Sequence, residues 1–346
     1  MSIALHQIIQ RVLLLGIKLE QPPEPPSTSP PAALLPLIES MSAAHAAFDS
    51  RAIRYGHRYR SGFWMIYLLS ALAVLCAVLP LALGWDSASH AAHQYSGIWA
   101  VVEVAVIGVV SAIYWRGHRS DWQGEWLRAR TTAELTAYLP MVAPLLDFSQ
   151  PSTEPNWYLR ILDPGQHPHG ADEISRLCQE HETQARQLLG AAWQDPNFVS
   201  NYAAWTVDVL RGQLCYHTRL AARQHALLHR VHRITIVLFV LTAIGALTHL
   251  LVHTLWLSLV TTFFPALAAS LHGALAQSEA YRLHATAERL TVELKDCIDR
   301  IVAAAKAAQN EVRERMAAAI ESAVALIMEE HQDWQMLVRP HHLPLA

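Results

Sequence analysis

The sequence predicts an all-α membrane protein in which two duplicated two-helix transmembrane hairpins carry long cytosolic helical extensions that form a bundle or coiled coil. Three observations carry that expectation. First, residues 234–278 contain no Asp, Glu, Lys or Arg and directly follow the basic run His229-Arg230-Val231-His232-Arg233. As helix this stretch would measure about 67 Å, about twice the hydrocarbon thickness of a bilayer, so it reads as two spans. The turn falls in residues 248–256, a polar and aromatic cluster suited to an interface. Second, residues 61–85 are uncharged and residues 94–115 are broken only by Glu103, which makes another pair of spans. Third, Glu125, Arg128, Thr132, Ala133 and Glu134 recur in the same order and spacing as Glu279, Arg282, Thr286, Ala287 and Glu288. The helix leading into each hairpin matches more weakly, with Arg51, His57 and Arg58 answered by Arg223, His229 and Arg230. Together these matches read as an internal duplication.

Of 346 residues, 52% are hydrophobic and 16% charged, with a net charge of -3 when histidine is neutral. Charge this sparse, concentrated outside the four runs, fits a surface that faces lipid, and the total says nothing about partners, among which nucleic acid is not expected. The distribution says more than the total. Arg51, Arg54, Arg58 and Arg60 precede span one, Arg116, Arg119, Arg128 and Arg130 follow span two, and Arg219, Arg223, Arg230 and Arg233 precede span three. Neither the loop 86–96 nor the turn near His249 holds Lys or Arg, so the positive-inside rule places both termini in the cytoplasm. Cys76, Cys178, Cys215 and Cys297 are too scattered for a disulfide framework or a metal knuckle, which fits a reducing compartment. No cleavable signal peptide is expected, because residues 3–19 are amphipathic, carry Arg11 and Lys18, and end without a small-residue cleavage pattern.

In chain order, residues 1–41 are an amphipathic segment followed by a linker whose Pro22, Pro23, Pro25, Pro26, Pro30 and Pro31 exclude helix. Residues 42–139 form the first two-span repeat and its cytosolic helix. The approach to span one is helical and runs into it without a break, Trp64, Tyr67 and Trp85 are placed as interface anchors, and Pro80 is a kink point. His90 and His93 in the following loop are one helical turn apart, but two ligands make no metal site.

Glu103 is the one formal charge inside the four runs. A carboxylate there has to face the bundle interior, be protonated or line water. It reads either as part of a ring at a cation pore mouth or as a hydrogen-bonding group that fixes helix packing. His249 and His253 share a helical face at the end of span three, as a metal site, a proton sensor or a pair of interface histidines would.

Residues 140–216 are a connector with Pro144, Pro151, Pro155, Pro164 and Pro168, followed by helices over 171–193 and from 200 onward. His167-Pro168-His169 lacks supporting acids or cysteines, and Trp157, Trp193, Tyr202 and Trp205 read as core aromatics rather than a stacking pocket. Residues 217–294 are the second two-span repeat, with Pro265 bending span four. From Glu279 one helix of about 55 residues is expected, free of Pro and Gly. It carries Leu290, Leu294, Ile301, Met316, Ile320 and Ile327 as an assembly seam, and residues 295–346 close the chain as helix and tail.

Trp126-Leu127-Arg128 and Ala133-Glu134-Leu135, echoed by Tyr281-Arg282 and Ala287-Glu288-Arg289, sit in the order basic helix, hairpin, long cytosolic helix. In this the chain resembles SLATT-type domains, two-span effector modules found beside nucleotide-generating and nucleotide-sensing proteins in bacterial immune systems. The stretch Gln213-Leu214-Cys215-Tyr216-His217 and the Trp-containing tail are similar to longer four-span proteins of such systems, and the resemblance covers residues 42–338. It implies a homo-oligomeric effector in the bacterial inner membrane, triggered by a cytosolic sensor protein or nucleotide signal. No sensor domain accompanies the matched residues. No phosphate-binding glycine loop, Ser/His/Asp set or Cys/His cluster appears at usable spacing, so no enzyme activity, cofactor or metal is expected. The function expected is a gated pore or ion channel of an anti-phage defence system. The alternative is a membrane scaffold or sensor that recruits a cytosolic partner.

Overall fold

A computed structural model describes residues 4–19, 28–85, 90–145, 192–252, 254–308 and 311–338. Among them every regular element is helical: α1 (Leu5–Leu13), α2 (Leu35–Ala82), α3 (His90–Arg119), α4 (Trp122–Val142), α5 (Pro196–Leu251), α6 (Trp256–Gln277), α7 (Ala280–Ala304) and α8 (Val312–Val338). Four helical stretches, beginning in α2, α3, α5 and α6, are long and apolar enough to cross a membrane. Most of the connector, the helix expected before Trp193, His253, Cys178 and the tail beyond Val338 lie outside the described residues.

Two helices organise the rest. α2 runs unbroken for 48 residues and α5 for 56, each passing from a charged body into an apolar run. Both begin where the sequence marks a start. Proline stands in the first turn of each, where its missing N–H costs no hydrogen bond, and the Asp195 carboxylate accepts from the Asn197 backbone N–H at 2.9 Å. α2 packs against α3 and α4, and α5 packs in the same order against α6 and α7, while an α2–α6 contact joins the two sets. At the α2–α4 crossing Gly56 is required by close approach, since a Cβ there would stand 2.9 Å from the Trp126 Nε1.

Two expected continuous helices are interrupted. The passage from span two into the charged body breaks at Asp121 (φ 41°), and the passage from span four breaks at Glu279 (φ 53°). Asp121 has local compensation: its carboxylate accepts from the Gly124 N–H at 3.1 Å and from Arg128 Nη2 at 2.9 Å. Glu279 makes no such cap. Pro140, expected to end α4, instead sits in its last turn, and His90 and His93 belong to the first turns of α3 rather than to a loop.

The helix expected to run on from Glu279 is also corrected. It stops at Ala304, and α8 folds back against α7. One straight helix would have left half of its apolar stripe without a partner. Folding back buries Leu290, Leu294 and Ile301 with Met316, Ile320 and Ile327 in one core, shared with Leu37, Leu139, Tyr202 and Leu210 of α2, α4 and α5. The stripe read as an assembly seam is therefore consumed within the chain. Phe198 and Tyr202 stack in this core, Tyr202 donating to the Met141 carbonyl at 2.5 Å, so the aromatic layer is packing. A second core, of Phe63, Trp64, Trp126, Leu227, Val231 and Leu271, lies where the charged body meets the apolar runs.

Candidate functional site: an arginine-lined cavity between the two helix sets

The repeated motif does different things in its two occurrences. In the first, α4 faces α2 through a ladder of ion pairs: Glu125 accepts from Arg51 and, at 2.5 Å, from Arg128, while Arg130 holds Glu134 and lies 3.5 Å from Asp49. Burial raises the Glu125 pKa, but the hydrogen bonds from Arg128 and Arg51 outweigh it and hold the carboxyl below the usual range. In the second, Glu279 is itself the break residue, Arg282 is half-buried on α7, and Glu288, mostly exposed, pairs only loosely with His284 at 3.7 Å. Against α5 the α7 contact is histidine-based, with the His284 ring 5.2 Å from His225 and His225 5.9 Å from His229. Glu125 lies four residues past its break and Glu279 at its own, so the same motif is shifted along the helix axis by about 6 Å. Sequence identity at these positions does not carry over to contacts.

Of the intramembrane candidates, Glu103 is half-exposed on α3. The apolar window of α3 is only 6% buried, the least of the four. His249 is exposed in the last turn of α5, and its expected companion His253 is outside the described residues. The hydroxyls of Thr242, Thr248, Ser258 and Thr261 bond to carbonyls of their own helices and form no polar stripe.

A concave site lies between the two helix sets, and its arginine lining was not assigned as a site by any motif. Two adjoining cavities, of about 240 and 210 Å³, share Arg60, Trp126, Tyr216, Leu220 and Leu283 as a common wall. The first is closed by Gly56, His57, Arg130, Glu134 and Gln213, the second by His6, Gln10, Trp64 and Arg223. α1 forms part of that wall. His6, 4% exposed, rests on α2 through hydrogen bonds of its backbone N–H (3.3 Å) and Nδ1 (3.2 Å) with Ser61 Oγ, and Arg223 of α5 donates to Gln10 Oε1 at 2.7 Å. Burial, with Arg60, His57 and Arg223 nearby, lowers the His6 pKa to about 3, and burial beside Arg60 lowers that of His57. Both are neutral imidazoles at pH 7.

Sequence reasoning read Arg60 only as a topology signal, Arg223 as a topology signal and a member of the weaker repeat match, and Tyr216 only as part of a resemblance. Their convergence depends on how α2 and α5 cross, which no local pattern encodes. Among the described residues no group of three or more metal-ligating side chains converges.

Among the described residues the fold is all-helical, with four membrane-length apolar helices and a basic cavity at the edge of the charged body. No protein-family model, curated protein or solved structure matches the chain.

Proposed function

We propose that this protein is an oligomeric membrane effector of bacterial anti-phage defence, a gated pore in the inner membrane with both termini cytoplasmic. The observation that carries the reading is Glu103, a carboxylate half-exposed on the apolar helix that the rest of the chain covers least. Such a group is costly against lipid, and contact between copies through α3 removes it from lipid by ringing an axis with carboxylates. The resemblance to SLATT-type modules and the parallel helix pairings of the two sets, read as a duplication, support the same conclusion.

The continuity of the helices sets the gating route. Spans two and four are separated from the charged body by the breaks at Asp121 and Glu279, whereas α2 and α5 pass from body to membrane without interruption. Tilting of α2 and α5 therefore transmits a change in the body, and α3 and α6 follow through hairpin packing. A ligand or sensor partner drives this only through different affinities for the two states.

Reconstituted in liposomes, the wild-type protein conducts cations when triggered, and Glu103→Gln changes that conductance with an unaltered thermal midpoint. Absence of ion or dye flux under every trigger, together with tight binding of a cytosolic partner to the body, replaces the pore by a scaffold.

A further inference from the structure

We infer that the cavity around Arg60 binds a phosphate-bearing anion, a site that goes beyond the pore reading and stands on its own residues. Its two lobes, about 240 and 210 Å³, each have room for a phosphate group and have Arg60, Trp126, Tyr216, Leu220 and Leu283 in common. Three guanidinium groups, of Arg60, Arg130 and Arg223, face this space against one carboxylate, that of Glu134, and Arg130 already holds it. Among the described residues neither Arg60 nor Arg223 has an acidic partner. Arg60 lies over the Trp126 ring at 4.8 Å, and Arg223 reaches only the Gln10 amide. A half-buried cation with no counter-ion beside it is less stable than a paired one. Burial, then Arg130 and Arg223, lower the pKa of Arg60, and burial, then Arg11, lower that of Arg223. An anion supplied from outside offsets that cost.

Trp64, fully buried, also lines the second lobe, and among the described residues its indole Nε1–H has no acceptor. Phosphate suits the set better than carboxylate. Its three or more oxygens can take two guanidinium forks and a further N–H or O–H donor at once, whereas a carboxylate has only two oxygens to share among the same donors. The same chemistry is offered by a phospholipid headgroup at the level where body meets apolar runs, and by a soluble phosphate ester or nucleotide.

The test uses the full chain and reads binding, not flux, so it stands or falls separately from the pore. Thermal midpoints are measured in detergent against inorganic pyrophosphate, and in phosphatidylcholine nanodiscs with and without phosphatidylglycerol. Saturable stabilisation by pyrophosphate assigns a soluble ligand; stabilisation by phosphatidylglycerol alone assigns a headgroup. In either case Arg60→Gln and Arg223→Gln weaken the response about tenfold or more, and Arg315→Gln, in an exposed pair with Glu311, leaves it unchanged. Should Arg60→Gln not fold, Arg223→Gln carries the comparison. No response of the wild type to either probe, or cavity variants that respond as the wild type does, overturns the proposal.

Discussion

His6 shows how one side chain ties an amphipathic helix to the body at an electrostatic cost that depends on pH. Its folded pKa is about 3, against an ordinary value of 6.5. Between those values the unfolded chain binds a proton that the folded chain does not, so stability is full above pH 6.5 and declines as pH falls toward 3. The same direction holds for His57, which faces Arg60. From pH 7 to 5.5 the His6 contribution is a loss of about 1 kcal/mol. Thermal midpoints of the wild type and His6→Phe measured across that interval should show the smaller decline in the variant. Equal slopes would mean that α1 leaves the body before His6 titrates.

The two helix breaks set how α3 and α6 connect to the body, and they differ in what holds them. Asp121 in the left-handed region is compensated by Gly124 and Arg128, but Glu279 holds a similar conformation (φ 53°) with no side-chain cap. A residue with a Cβ costs about 1–2 kcal/mol there, which glycine avoids, less what glycine adds to the entropy of the unfolded chain. Glu279→Gly should therefore stabilise by up to about 1 kcal/mol, while Glu279→Ala should not. A midpoint lowered by glycine would show that α6 and α7 are not joined by this turn. The break at Asp121 carries a sequence signal, since Ser120 and Asp121 are helix-start residues with Gly117 and Gly124 close by, whereas Glu279 stands inside a good helix-forming pattern without Gly or Pro at the break. What decides for a turn is the packing of α4 on α2 and of α7 on α5.

At the level of the whole molecule, α7 and α8 complete a core that α2, α4 and α5 leave open. Ile320 is fully buried in it, so Ile320→Ala should cost about 2–5 kcal/mol. Because its neighbours come from the same chain, the loss should be independent of protein concentration, with no change in assembly size by native mass spectrometry. A concentration-dependent loss would return α8 to the role of a seam between subunits. Assembly through α3 is the arrangement the Glu103 reading requires, and it leaves this core untouched.

The sequence by itself determined which segments are helical and which are apolar enough to enter a membrane, because both follow from composition over windows of tens of residues. It also determined that the apolar stripe of residues 290–327 had to be buried, since the stripe is periodic. Only the tertiary structure decided where that stripe goes, that Glu125 finds Arg51 while Glu288 finds His284, and that Arg60, Arg223 and Trp64 meet around one cavity. Those outcomes depend on contacts between residues far apart in the chain, and a pattern read along one helix carries no term for the helix it meets.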